Sequence, residues 1–182
     1  MPLSASPSVD NIIIGGPTQI SISAYVASRG AGTFTDLGHS VGGAEFEQKR
    51  DRYKPNLDAY LGSPVSEPIK AEGMLTFALA EPLLKSLAYC LGMDPAVEVT
   101  GTTPNFVLKS NYSKRGIYQQ VKVVGRGHGT NSIRTFIGWR SVPLTIEKWI
   151  WKKDAELLYK VTFEVCEEPD TPASGAWQMT DS

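Results

Sequence analysis

The sequence predicts a mainly β domain, a β-sandwich or half-barrel with one short flanking α-helix. Three observations predict it. Several separate runs alternate apolar and polar residues with a period of two, the mark of half-buried strands. Only one run carries an apolar stripe at helical spacing. Turn signals divide the second half of the chain into strands at steps of roughly 10–14 residues, the spacing of sandwiches and barrels.

Residues 1–10 are rich in Ser and Pro and lack periodicity, so they read as a flexible arm. Ile12-Ile13-Ile14 is a short strand stopped by Gly15-Gly16-Pro17. Ile20, Ile22, Ala24 and Val26 alternate with polar partners and form the next strand. Residues 44–53 are dominated by charge. They follow Gly42-Gly43 and show no apolar helical stripe, so extended structure is expected. Residues 54–68 contain Pro55, Gly62, Pro64 and Pro68 and read as a long polar loop. Ile69, Ala71, Leu75, Phe77 and Leu79 then mark a strand able to pair with the charged one as a long hairpin.

The helix is expected over about 80–91, with Leu83, Leu84, Leu87 and Leu91 as its buried stripe. Pro82 suits its first position, Glu81 its positive end and Gly92 its C′ position. Strands follow at Phe106–Leu108, Ile117–Val124, Ile133–Trp139, Leu144–Trp151 and Leu157–Cys166, with Pro143 among the separators. Residues 11–168 make the β domain, and residues 169–182 read as a second polar arm.

Composition narrows the function classes. A formal net charge of −1 gives no bulk attraction to nucleic acid or anionic membrane. No run approaches the ~20 apolar residues of a membrane-spanning helix. The Met1–Ala5 start has neither basic nor apolar signal character, so no secretory signal is expected there. Two distant cysteines, Cys90 and Cys166, argue for buried thiols rather than a disulfide framework.

Chemistry-bearing motifs are scarce. Gly125-Arg126-Gly127-His128-Gly129 follows a strand but precedes no helix, so it reads as a turn rather than a phosphate loop. His39 and His128 sit among glycines without metal-ligand spacing. No catalytic residue, cofactor or metal is assigned, and no enzyme is expected. Trp139, Trp149, Trp151 and Tyr159 could form an aromatic platform for sugar or nucleic acid. On strands they are more often packing or a subunit interface, and Trp149 and Trp151 are read that way. Period two places Glu45, Glu47, Lys49 and Asp51 on one face of the charged strand, with Lys70 and Glu72 on the polar face of its partner. Phe46 falls on the opposite face as a core contact.

Over roughly Asn11 to Glu168 the order of segments resembles the major tail tube proteins of long, non-contractile bacteriophage tails. An Ile-rich strand ends in Gly-Gly-Pro, and Thr35-Asp36-Leu37-Gly38-His39-Ser40-Val41-Gly42-Gly43-Ala44 leads into a charged strand. Then come Gly62-Ser63-Pro64-Val65, the Leu79-Ala80-Glu81-Pro82-Leu83-Leu84 helix start and a terminal strand containing Phe163. The resemblance implies a fold similar to the type VI secretion tube. It implies rings, of six copies in such proteins, whose inner strands close a shared barrel around a DNA channel. Rings stack through the long loop and the arms, so Pro55, Asn56, Leu57, Asp58, Tyr60, Gly62 and Pro64 are the stacking candidates.

The same resemblance implies the chain itself as principal partner, a tape measure protein and a tail terminator as further ones, and double-stranded DNA in passage. No membrane partner is expected. The location would be the virion, after synthesis in the host cytoplasm. Glu45, Glu47, Asp51 and Glu72 become lumen-facing candidates, with Lys49 and Lys70 partly neutralising them; the alternative is an ordinary solvated face. Two other functions fit the same pattern. One is a tail terminator or head–tail joining protein. The other is a β-sandwich ligand-binding module using the aromatic strand faces.

Overall fold

A computed structural model describes residues 11–14, 18–30, 32–53, 67–80, 84–102, 105–108, 116–127, 132–146, 158–167, 169 and 175–182. Among the described residues, ten strands and two short α-helices, with a 3-10 turn at Ala27–Arg29 after the second strand, occur in the order β1 (Asn11–Ile14), β2 (Gln19–Ala24), β3 (Thr35–Tyr53), β4 (Glu67–Ala80), α1 (Leu84–Cys90), α2 (Pro95–Glu98), β5 (Val99–Thr102), β6 (Asn105–Leu108), β7 (Gln119–Arg126), β8 (Ile133–Ile146), β9 (Leu158–Val165) and β10 (Trp177–Asp181). The mainly β class is as the alternating pattern predicts.

The large sheet runs β1-β3-β2-β7-β8-β9-β4, and β3 also pairs with β4. That last ladder closes the circuit β2-β7-β8-β9-β4-β3, so the half-barrel outline becomes a closed antiparallel barrel. Period two fills its interior. Ile20 and Ile22 of β2, Leu75, Phe77 and Leu79 of β4, Val121 and Val123 of β7, Phe136 of β8, and Val161 and Phe163 of β9 are all buried. Phe46 of β3 is 1% exposed and lies 4.7 Å from Phe136, ring centre to ring centre. A stacked pair, Phe77 and Phe163 at 5.8 Å, fills another part of the interior.

β3 serves the barrel and then runs past it, because two bulges bend it. Against β2 the register slips at Leu37, between the pairs Ile20↔Gly38 and Ser21↔Asp36. The Asp36 carboxylate accepts the Gly38 N–H at 2.8 Å and the Gln19 amide N–H at 2.7 Å, while Gly38 takes φ 103°. Against β4, Val41-Gly42-Gly43 face the single residue Ala78, between Ser40↔Leu79 and Ala44↔Phe77. Thus the Asp-Leu-Gly and Gly-Gly segments singled out in the sequence are the two bend points of one strand.

The structure corrects several sequence expectations. The strand expected at 133–139 and the start of the one expected at 144–151 belong to a single strand, β8, with Pro143 inside it; residues 147–151 lie outside the described residues. Pro143 is tolerated because it lies at a register shift against β9, where the ladder does not require its missing N–H. The helix is shorter than 80–91, since Ala80 is the last residue of β4. Leu87 and Leu91 pack on the core as expected, but Leu84 is 36% exposed. The seven residues of α1, about two turns, do not bring the whole stripe onto the barrel. Leu83 lies outside the described residues. Gly92 closes α1 as expected, with φ 70° and bonds from Gly92 N–H to Tyr89 O and Met93 N–H to Ala88 O, a Schellman arrangement. Within the stretch read as a polar arm, Trp177–Asp181 is a strand paired with β8. β6 is the strand expected at Phe106–Leu108, while its partner β5 and the α2 turn have no counterpart in the sequence reading; Asp94 caps α2 by accepting the Ala96 N–H at 2.9 Å.

Candidate assembly surface

The hairpin β3–β4 dominates the surface. Its ladder runs from Ala44↔Phe77 to Tyr53↔Glu67, so the charged run is a strand and pairs as the long hairpin the alternation predicts. Beyond the barrel it stands largely by itself. β1 covers the outer edge of β3 only over Ala44–Glu47, and β9 covers the outer edge of β4 only over Gly73–Ala80. Among the described residues, the outer edges of 48–53 and 67–72 carry no ladder.

The register gathers the charges onto one face. Lys49 lies opposite Glu72, Asp51 opposite Lys70 and Glu47 opposite Met74. Glu45 and Lys49 are exposed, Glu47 and Glu72 half-buried. The Lys49 ammonium sits 3.4 Å from a Glu47 carboxylate oxygen, an exposed pair that contributes little to stability. β9 widens the same face, because Met74 pairs with Glu164, Thr76 with Thr162 and Ala78 with Lys160. Thr76 and Thr162 share a hydroxyl hydrogen bond of 3.0 Å across the ladder. The face therefore mixes signs strand by strand, rather than forming one acidic stripe.

At the end of the barrel, a wedge of about 340 Å³ opens where the hairpin diverges from β10. Gln48, Arg50, Glu72, Val165, Glu167 and Trp177 line it. Trp177 is the aromatic that sequence reasoning left in a tail. Its ring lies 5.1 Å from Phe46 and 5.8 Å from Phe136. The signal for it was present as Trp177-Gln178-Met179, an alternation too short to register. Gln120 was also missed. It is fully buried and binds the turn before β3, donating to Gly30 O at 3.0 Å and accepting from Gly32 N–H at 3.3 Å.

The remaining sequence-predicted sites divide as follows. The stacking candidates Pro55, Asn56, Leu57, Asp58, Tyr60, Gly62 and Pro64, and the aromatics Trp149 and Trp151, lie outside the described residues, as does His128. Asp51 and Lys70 are placed by backbone register alone. His39 is exposed on β3, and no group of three or more His, Cys, Asp or Glu among the described residues is set to hold a metal. Cys90 is buried and its thiol is pushed up to about 12 by desolvation, the opposite of nucleophile activation. Burial also raises the Cys166 thiol, with Glu164 adding to the effect.

No protein-family model matches the chain, and no curated protein matches it. Among solved structures, one chain of the cryo-EM structure of the anti-feeding prophage (AFP) baseplate aligns over 97% of this chain and 97% of its own, at 7% identity and a TM-score of 0.47. The crystal structure of Hcp protein aligns over 92% of this chain and 100% of its own, at 15% identity and a TM-score of 0.38.

Proposed function

We propose that this protein is a structural subunit that polymerises through identical copies, as stacked rings forming a tail tube through which DNA passes. The observation that carries the reading is the surplus of strand edge. The barrel satisfies its own ladders by closing, yet a long charged hairpin runs past it with both outer edges unpaired among the described residues. Such edges invite uncontrolled pairing unless something covers them. Closed assembly of identical subunits covers them with the same surface each time. The segment order that resembles tail tube proteins supports the same reading. So do the two bend points of β3, which fall on the segments carrying that resemblance. A ring of six, a tape measure protein and a terminator as further partners, and a virion location belong to this proposal. The test is negative-stain microscopy with light scattering over a concentration series. Rings that stack into tubes are expected; a 19.8 kDa species alone at every concentration would overturn the reading.

A further inference from the structure

Period two turns Ile20 and Ile22 of β2 and Val121 and Val123 of β7 into the barrel. Ser23 and Gln120 therefore lie on its outer face, yet they are only 1% and 0% exposed. The segment between β2 and β3 covers them. A Cβ on Gly32 would lie 1.8 Å from the Ser23 hydroxyl oxygen, so the chain runs directly over Ser23. Farther along, the Lys122 ammonium lies 4.6 Å from the centre of the Phe34 ring. Residues 26–30 and 32–34 thus form a strap across β2 and β7.

One buried amide holds the strap down. Gln120 donates to Gly30 O at 3.0 Å and to Val26 O at 3.5 Å, and its carbonyl oxygen accepts the Gly32 N–H at 3.3 Å. Between those points the backbone bends sharply. Ser28 and Arg29 take φ 57° and 58°, the left-handed region that non-glycine residues rarely hold. Such backbone persists where surrounding contacts fix it. The bend aims Arg29 at β10. The guanidinium lies over the Trp139 ring, 5.6 Å from its centre, and donates to Gly175 O. Gly175, with φ 81°, stands two residues before β10. β10 then lays Trp177 against Phe46 and Phe136 and pairs with β8 over Arg134–Gly138.

We infer that the strap and β10 are one clasp, which opens and closes as a unit apart from the barrel, with Arg29 as the positioning residue that joins the two. Gln120 supplies the grip, Arg29 the reach, and β10 is what the reach secures. Segments laid over the outside of a core open locally at lower free energy than the whole fold. Closed, the clasp covers the β8 edge at Arg134–Gly138 and the Phe46–Phe136 floor under Trp177. Open, it bares both, and a bare edge invites uncontrolled pairing. The clasp is a conformational guard on that edge, and it does not depend on the assembly reading above.

Amide hydrogen exchange, read residue by residue on the dilute 182-residue chain, tests it. Ile133 and Ser182 exchange both backbone bonds, at 2.8 and 2.9 Å, so alternation directs the Gln178, Thr180 and Ser182 amides at β8. Arg29→Ala removes the reach. Gly32→Ala lifts the strap off Ser23 while leaving Arg29, Gln120 and β10 unaltered. Each is expected to speed exchange of those three amides at least about tenfold, the loss of one charge-assisted hydrogen bond, with β9 amides at parent rates. Arg29→Lys keeps a donor and should retain part of the protection. The double variant Arg29→Ala with Gly32→Ala should exchange no faster than the faster single variant, because both changes break one connection. Parent-like β10 exchange in either single variant, or multiplied effects in the double, would overturn the clasp. Exchange raised alike at every amide, β9 included, would also overturn it, because strap and barrel would then open only together.

Discussion

Asp36 shows how much one side chain fixes. Its carboxylate holds the Gly38 N–H and the Gln19 amide, so β3 turns at the first bulge with its polar groups satisfied. The Gly38 hydrogen bond and then the Gln19 bond lower its pKa, aided by the charges of His39 and Lys122 and opposed by partial burial. A carboxylate with a depressed folded pKa stabilises the fold fully above its unfolded value of about 3.9, and that stability is lost as pH falls through the lower folded value. Asp36→Asn should therefore unfold at lower urea than the parent at neutral pH, and the difference should shrink between about pH 4 and pH 2 as the parent carboxyl protonates. A difference constant across that range would mean that the hydrogen bonds, and not the charge, hold the bend. Sequence reasoning marked Asp36-Leu37-Gly38 only as part of a resemblance. Its mechanical role was hidden because Gln19 and Gly38 come together through a strand pairing that local sequence does not encode.

Among the elements, those with a complete local signature were legible, and those decided by tertiary contact were not. The alternation of β2, β4 and β9 and the Gly92 stop of α1 read directly. Pro143 misled, because a proline normally ends a strand; here a register shift removes the need for its N–H. β10 was missed because five residues with a single aromatic look like a tail until the Phe46–Phe136 socket is known. The α1 stripe was right in period and wrong in extent. Leu87→Ala should cost about 2–5 kcal/mol, the transfer and cavity terms of a buried leucine, while exposed Leu84→Ala should stay within about 0.5 kcal/mol. Equal effects in denaturant titrations would contradict the placement of α1. The loop read at 54–68 narrows, because β4 begins at Glu67, and residues 54–66 lie between the two hairpin strands. Replacing 54–66 by a short Gly-Ser link should leave the domain's urea midpoint near that of the parent and stop ring stacking. Tubes of normal length from that variant would assign stacking elsewhere.

On the scale of the whole molecule, the closed barrel buries an apolar core, and the hairpin carries a charged face. If that face lines the tube, its charges act on a passing duplex. DNA carries dense phosphate charge, and Lys or Arg facing it binds by releasing condensed counterions. Glu45, exposed, and Glu47, half-buried, point away from the core on the hairpin face, and Lys49 and Lys160 already moderate the face's charge. Glu45→Lys with Glu47→Lys exchanges two negative charges for two positive ones there, moving the chain's formal charge from −1 to about +3. The fold should be unaffected, since the Glu47–Lys49 pair is exposed and Phe46 keeps its place in the core. Screening restricts the effect to groups within about 8 Å of the DNA path at physiological salt. Tails assembled from the double variant should therefore have normal length and release DNA more slowly than wild type. The delay should shrink as salt rises, because counterion release weakens with salt. Release at the wild-type rate in low salt would place Glu45 and Glu47 on the outside of the tube and return the charged face to its ordinary role as a solvated surface.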